Sequence, residues 1–517
     1  MIAKITTYHI FILIGAILYM VAYLLPFRFQ VNDDVLMMWL VSGAYTGEFE
    51  TYAVFIHPLL SHFFAFCYRN FPSIPWYPLT WFLVVYLAYV QWVRIVLSQE
   101  KLLNQRIFWI VLFLTYAIHH LYFLQFTAVA GIAAFSGILG LVLQLQGKKG
   151  TSSFLAYVLI LLSVLIRTDA FFLMVIGFGT YWLLHQGFKE IHLVIWRQKW
   201  LIFGVLFLIG YRVHYENREE IKDYVAFNKA RSGVIDHPVF QMNKALIDRE
   251  EEPEWFYFKE WLFEDAQKIS TADLVEKKKG LNKGYFDLFY FKTALSRVLV
   301  STKYEYYKKA LFFFFFSLAL WVGFRQKKTF WFLFIWVVFF LSVNHFFLLA
   351  GRVQTLFILI LLGVAFLNRL AKIPMILGSV FVLLCLALMG IHSLNVVKAE
   401  AKWAVWNKDF YQLLDQVPDG EKVFVHAYSV ELLNRKYDFQ NPPPMLQTGW
   451  ISRSPMQKRA FQRFGVNAFR EIDRYYLVQQ KADESSQMPG YFQYLELELT
   501  KTKILSNTIF EMLKYEK

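Results

Sequence analysis

Carboxylates are nearly missing from more than half of this chain. Outside residues 214–308 and 396–517, a stretch of 300 residues holds only 7 Asp and Glu against 20 Lys and Arg. Cysteine is scarcer still. Cys67 and Cys385 each lie in an apolar run, which excludes a disulfide framework and a cysteine metal site. Also absent are Gly-x-x-x-x-Gly-Lys-Ser/Thr, His-Glu-x-x-His, Gly-x-Ser-x-Gly and Cys-x-x-Cys, so no nucleotide loop, zinc-protease helix, hydrolase elbow or thiol redox motif is encoded. There is no internal repeat at a fixed period and no low-complexity linker. What is abundant is apolar and aromatic. The 517 residues are 57% hydrophobic and 19% aromatic, with 54 Phe. That composition excludes an ordinary soluble domain.

Stretches such as Ile10–Leu25, Trp81–Leu97, Phe108–Leu124 and Phe330–Phe347 approach the length needed to cross a hydrocarbon core of about 30 Å. The first is not followed by a small-residue cleavage site and is expected to stay as a helix. The net charge of +14 does not point to nucleic acid. Residues 214–308 carry 16 bases and 17 acids, residues 396–517 carry 17 and 15, and the excess sits in short loops of the apolar portion, where it orients helices. The basic clusters are Lys101 and Arg106, Lys148 and Lys149, Lys189 with Arg197 and Lys199, Arg325–Lys328, and Arg369 with Lys372. One topology puts all of them in the cytoplasm. The N-terminus is then inside, helix 1 runs over about 8–26, and residues 27–76 form a long first outer loop. Spans follow near 77–97, 107–123, 126–145, 153–166, 168–185, 200–213, 309–324, 329–347, 351–368 and 374–393, about eleven in all, with the C-terminus outside.

Within that scheme residues 54–70 are an interfacial or re-entrant segment, and residues 153–185 are two short helices meeting at Arg167-Thr168-Asp169. Trp76, Tyr77 and Trp81 fit an interfacial aromatic belt. The expected fold is an α-helical polytopic membrane protein. Residues 1–395 form the transmembrane domain with a large outer loop at 214–308, and residues 396–517 form a small extracytoplasmic α/β domain. In that domain a helix is expected near Asp409–Gln416, strands near Lys422–His426 and Tyr475–Gln479, a rigid loop at Asn441–Pro444 and a helix after Pro455.

Against this acid-poor background, Asn32-Asp33-Asp34 stands out. Pro26 ends helix 1, and Asn32 is a good N-cap for a helix over Asp33–Ala44. A plain reading is available, in which Asn caps and the two acids complement the helix dipole. The residues that follow, Val35 to Val41, are apolar all round, so this helix must lie at the membrane interface or under protein. Acids held there are costly and invite a chemical reading, as acceptor of a proton or as metal ligands.

The combination of a first helix, an acid pair opening a long outer loop, an apolar helix after it, many spans and an outward tail resembles the GT-C superfamily of membrane glycosyltransferases. The stretch Asn32-Asp33-Asp34 through Ser42-Gly43-Ala44-Tyr45-Thr46-Gly47 is similar to bacterial members, and Thr448-Gly449-Trp450-Ile451-Ser452-Arg453-Ser454-Pro455 is loosely so. The resemblance implies a protein O-mannosyltransferase or aminoarabinose transferase type of enzyme in the bacterial cytoplasmic membrane. It would use a polyprenyl-phosphate-linked sugar donor and a glycan, lipid or protein acceptor, and it would have no nucleic-acid partner. It also implies that Asp33, or else Asp34, is the general base, with a divalent metal such as Mg or Mn in some members.

The donor phosphate needs cations at the outer face. Arg28, His57, Arg167, Arg212, His345 beside Asn344, and Arg352 are the candidates, Arg352 first because a guanidinium grips phosphate with two parallel bonds. Each has a plainer reading: Arg352 snorkelling to head groups, Arg167 pairing with Asp169 across a turn, His57 serving structure beside Pro58. His119-His120 points to two different helix faces, so no shared metal is expected there. A lipid-glycan flippase or transporter is the alternative class, although paired halves of similar hydropathy are not seen. A polysaccharide polymerase or ligase is a third.

Overall fold

The computed structural model describes residues 7–100, 102–147, 153–188, 191–301, 306–368, 374–425, 445–481 and 486–517. The expectations for Lys101, Lys148, Lys149, Lys189, Arg369, Lys372, His426 and the Asn441–Pro444 loop lie outside those residues.

The first half is a helical bundle: α1 (Thr7–Leu24), α2 (Asn32–Val41), α3 (Pro58–Asn70), α4 (Trp76–Gln99), α5 (Leu103–Tyr122), α6 (Phe126–Leu145), α7 (Ser153–Gln186), α8 (Ile191–Arg197) and α9 (Lys199–Glu216). Among the described residues, six helices are long and apolar enough to cross a membrane: α1, α4, α6, α7, Lys327–Phe346 and Met375–Leu414. The eleven expected spans all fall on helices, two of them on α7, and four fall on helices outside those six: α5, α9, Tyr306–Gly323 and Gly351–Leu367. Helix α5 contains Arg106, His119 and His120, α9 contains Lys199, Arg212 and Glu216, and Gly351–Leu367 has 17 residues. The apolar faces of α1, α9 and Lys327–Phe346 are left uncovered, Leu13, Leu206 and Phe334 among them. Exposed surface of this kind, repeated on several helices, makes the chain a multi-pass membrane protein.

Helix α3, at 13 residues, is only about 20 Å long and does not reach across a bilayer. Helix α7 is interrupted at Arg167, whose φ of −157° and ψ of 101° are those of a strand. Helix α6 lies in the middle of the bundle. A Cβ at Gly137 would stand 2.9 Å from the Ala156 carbonyl oxygen, so glycine lets α6 and α7 approach backbone to backbone.

Residues 214–308 hold short helices α10 (Lys222–Ile235), α11 (Pro238–Asn243), α12 (Pro253–Lys259), α13 (Thr271–Lys283) and α14 (Leu288–Ser301). Helices α10 to α13 pack around a second cluster of Phe227, Val234, Phe240, Phe258, Phe263 and Leu274. Then come α15 (Tyr306–Gly323), α16 (Lys327–Phe346), α17 (Gly351–Leu367) and α18 (Met375–Leu414). At 40 residues α18 is about 60 Å long, twice a bilayer core, and its far end is buried against the tail through Phe410, Leu413 and Leu414.

Two short strands, β1 (Arg28–Phe29) and β2 (Phe123–Leu124), pair within the bundle, and the tail contains a five-stranded sheet of β3 (Val423–Val425), β4 (Met445–Leu446), β5 (Arg474–Gln480), β6 (Thr500–Ser506) and β7 (Phe510–Glu516), in the order β4-β3-β5-β7-β6. Strands β4, β3 and β5 are parallel, and β5-β7-β6 antiparallel. Helix α19 (Pro455–Gln462) begins at Ser454, whose hydroxyl caps the Gln457 N–H, and α20 (Met488–Tyr494) follows.

The tail, the 214–308 segment and the loop after α1 are bolted together by charged and polar contacts. Arg459 grips Glu50 with two bonds of 2.8 and 2.6 Å, and Arg463 donates to the Ala44 carbonyl at 2.8 Å. Arg453, at a left-handed φ of 64°, donates to the Phe263 and Asp265 carbonyls at 2.7 and 2.6 Å. Glu264 accepts from the Ser452 hydroxyl at 2.5 Å and from the Gln457 amide at 3.0 Å. Burial pushes the Glu264 carboxyl up to about 7, against the pull of those two donors. A folded-state value above the unfolded one contributes stability that is present at low pH and lost as pH rises through about 7. Hydrogen exchange in residues 445–460 of the wild type should therefore speed up as pH passes through that value, after correction for intrinsic exchange, and Glu264→Gln should flatten the change.

Candidate functional site

The acid pair is placed by a small clasp. Strand Arg28–Phe29 (β1 of the first loop) runs parallel to Phe123–Leu124 at the end of α5, and the Gln30 N–H donates to the Leu124 carbonyl at 2.8 Å. The chain then turns into α2. Asn32 is the first helical residue rather than the expected cap. Val31 precedes it in extended conformation, with no side chain capping the helix. Val35 to Val41 are all buried, so α2 is covered by protein on every side.

The two aspartates have opposite surroundings. Asp34 is fully buried. Its Oδ1 accepts from the Tyr77 hydroxyl at 2.9 Å and from the Phe126 N–H at 3.3 Å, while Oδ2 has no partner among the described residues. Burial pushes its carboxyl well above the usual range. The hydrogen bond from Tyr77 opposes that shift, and the neighbouring Asp33 charge adds to it. Tyr77 and Trp81, expected in an interfacial belt, are instead fully buried core residues. Tyr77 is spent on Asp34, a partner that a belt position at a helix start did not suggest.

Asp34 in its raised state holds a proton more readily folded than unfolded. The stability it contributes is present at low pH and disappears as pH climbs through its folded value. Asp34→Asn should therefore flatten the decline in melting temperature on going from about pH 5 to pH 9, measured in detergent. An unchanged pH profile would contradict this.

Asp33 is partly exposed and makes no hydrogen bond among the described residues. Its Oδ2 lies 3.9 Å from Arg352 Nη2, with side-chain exposures of 19% and 30%. That is too long for a hydrogen bond and close enough for the two charges to attract. Two cavities meet at this pair. Arg352 lines one of about 600 Å³, together with Arg28, Gln30, His119, Tyr307, Lys308 and His392. Asp33 lines the other, of about 340 Å³, together with Asn32, Trp39, Glu260, Trp261, Thr448, Trp450 and Gln487. Among the described residues, the first wall carries cations and no carboxylate, and the second carries two carboxylates and no cation.

The remaining candidates are distributed as follows. Arg28 stacks on Phe123 at 4.9 Å and faces the basic cavity. Arg167 pairs with Asp169 at 2.9 Å, as its extended backbone allows, and lies over the Phe55 and Phe126 rings at 5.7 Å each. His57 has both ring nitrogens engaged: Nδ1 caps α3 at the Leu59 N–H, and Nε2 lies 2.9 Å from the Leu208 carbonyl. Arg212 is held by Glu216 at 2.8 Å and by the carbonyl of Val54 at 3.0 Å. Asn344 donates to the Ala294 carbonyl at 2.7 Å, and His345 Nε2 lies 2.9 Å from the Tyr285 carbonyl. Those two brace α14 and the turn before it. Neither they nor His57 line either cavity.

Three lining residues, Tyr307, Lys308 and His392, were not singled out in the sequence. His119 Nδ1 lies 3.2 Å from His392 Nε2, and Tyr307 stacks on His392 at 4.0 Å. His392 and Lys308 are ionisable groups in or beside apolar helices, which is the signal that marks such positions. Their convergence joins helices far apart in the chain and has no local signature.

Among the described residues no group of three or more His, Cys, Asp or Glu is placed to hold a metal ion. Asp33 with an arginine beside it does not fit a divalent cation either, since such ions gather several oxygen ligands.

Fold and site together define a multi-pass membrane protein in which a basic and an acidic cavity share one acid–arginine pair. No family model matches the chain, and no curated protein matches it. The crystal structure of ArnT from Cupriavidus metallidurans in the apo state is similar to 98% of this chain and 97% of that one, at 12% identity and a TM-score of 0.43. A likeness of that depth assigns neither residues nor a reaction.

Proposed function

We propose that the protein is a membrane glycosyltransferase of GT-C type. It moves a sugar from a polyprenyl-phosphate donor to an acceptor hydroxyl on the outer face of a bacterial cytoplasmic membrane, with inversion at the sugar carbon. In this reading residues 1–395 are the membrane domain, the N-terminus is inside, and residues 396–517 sit outside over the site. One observation carries it: Arg352 of the basic cavity stands 3.9 Å from Asp33 of the other. A phosphate held on the first side and a hydroxyl held on the second meet at that boundary.

Asp33 is the base. Its carboxylate is open to the cavity, whereas Asp34 is sealed under protein with its proton favoured. The acceptor oxygen forms a bond to the anomeric carbon while its proton passes to Asp33. The bond from that carbon to the phosphate oxygen breaks on the opposite face, and the electron pair leaves with polyprenyl phosphate. Arg352, Arg28 and Lys308 stabilise the charge that grows on the departing phosphate. Asp34 and Tyr77 hold the first turn of α2 so that Asp33 keeps its direction.

The test is reconstitution in proteoliposomes with polyprenyl phosphates carrying radiolabelled sugars. Release of free polyprenyl phosphate that depends on an added acceptor is expected. Transport of the intact glycolipid across the bilayer without cleavage would overturn the reading in favour of a flippase.

A further inference from the structure

We propose that the cavity on the Asp33 side is a binding site for an uncharged carbohydrate, which makes the acceptor of the proposed transfer a neutral glycan. The word acceptor rests on the preceding reading; the carbohydrate site rests on its own geometry.

Charge narrows the ligand first. Among the described residues, the wall offers the carboxylates of Asp33 and Glu260 and no Lys or Arg. A phosphate, sulfate or carboxylate would be repelled here and drawn to the basic cavity on the other side of Arg352. Hydrogen-bonding groups narrow it next. A peptide strand would need free backbone donors and acceptors along the wall. The backbone from Gln447 to Trp450 is largely spent. The Gln447 N–H donates to the Tyr45 hydroxyl at 3.2 Å, and the Gln447 carbonyl accepts from the Gln457 amide at 3.2 Å. The Gly449 N–H donates to Ser452 Oγ at 3.0 Å, and the Trp450 carbonyl accepts from the Tyr224 hydroxyl at 2.7 Å.

What faces the cavity instead is side-chain hydroxyl, amide and indole. The Thr448 hydroxyl has no hydrogen bond among the described residues, and Trp261 remains 38% exposed. The indole is held there at some cost. Trp261 has a φ of 63°, in the left-handed region that bulky residues avoid. The Arg231 guanidinium lies 5.1 Å over its ring. Gly449 lies against the indole, at a φ of 99° that favours glycine. A sugar presents an apolar C–H face rimmed by hydroxyls that both donate and accept. A wall of aromatic surface with a few hydroxyl and amide groups is the matching surface.

The test is saturation-transfer NMR on the full-length protein in detergent. The probes are neutral oligosaccharides of glucose, galactose, mannose and N-acetylglucosamine, a sialylated oligosaccharide, and a Ser/Thr-rich peptide. At least one neutral oligosaccharide is expected to bind, and to bind about 10-fold more weakly in Trp261→Ala, the loss expected for one aromatic contact. Thr448→Val, which keeps the side-chain shape, should weaken the same ligand by about 3-fold or more. Polyprenyl phosphate binding should be unchanged in both variants. Four results would overturn the proposal: no neutral oligosaccharide binds while polyprenyl phosphate still does, one binds with equal strength to both variants, or the sialylated probe or the peptide takes the Trp261-dependent site. Sugar binding that depends on Trp261 in a protein that cleaves no polyprenyl-phosphate sugar would support the cavity assignment and sink the transfer reading alone.

Discussion

Asp33→Asn abolishes transfer while leaving the protein folded and inserted. The substitution keeps the shape of the side chain and removes its ability to take a proton. It breaks no hydrogen bond among the described residues, and it loosens only the 3.9 Å charge contact with Arg352. The loss of general-base catalysis is worth about 100-fold or more in turnover. Melting temperature and detergent elution should match the wild type, because a partly exposed ion pair contributes at most about 1 kcal/mol. Donor and acceptor affinities should both survive. Asp34→Asn separates the two acids. It should retain substantial turnover, since the Asn oxygen can still accept from Tyr77 and Phe126. If Asp34→Asn were silent in turnover and Asp33→Asn equally silent, no carboxylate of this pair would be the base.

Arg352→Ala strikes the donor side. The guanidinium lines the basic cavity from the first turn of α17 and faces the boundary with Asp33. A charge-assisted bond to phosphate is worth about 1.5–3 kcal/mol, so the donor KM should rise by about 10-fold or more while the acceptor KM changes little. Arg352→Lys should recover part of the loss, because an ammonium supplies the charge but not the forked geometry. If leaving-group stabilisation is also lost, kcat falls together with donor affinity. Equal damage to both KM values would point to a collapse of the boundary rather than to phosphate binding.

Much of the local architecture around the site was legible in the chain. The acid-poor background made Asn32-Asp33-Asp34 conspicuous, and the apolar run after it required a covered helix, which α2 is. The Arg167–Asp169 pair, two residues apart, required a break in the helix, and Arg167 is where the helical geometry stops. Other features were hidden because their causes are not local. Two adjacent acids look alike in a sequence, yet Tyr77 and the Phe126 N–H reach only the second, and this sorts the pair into one buried and one open carboxyl. The Asn32 cap failed for a similar reason, since the clasp of β1 with Phe123–Leu124 holds Val31 extended and makes Asn32 the first helical residue. His392 and Lys308 come together with His119 only once α5, α15 and α18 are packed. Six of the described helices are long and apolar enough to cross; α5 and α9, which carry ionisable residues near their ends, are not among them.

The most direct measurement is a cryo-electron microscopy structure of the protein with polyprenyl phosphate bound. The phosphate should lie in the basic cavity within hydrogen-bond reach of the Arg352 guanidinium, on the far side of that side chain from Asp33, with the prenyl chain leaving between helices into the bilayer. A phosphate bound elsewhere, with Arg28 and Arg352 facing an empty cavity, would contradict the account.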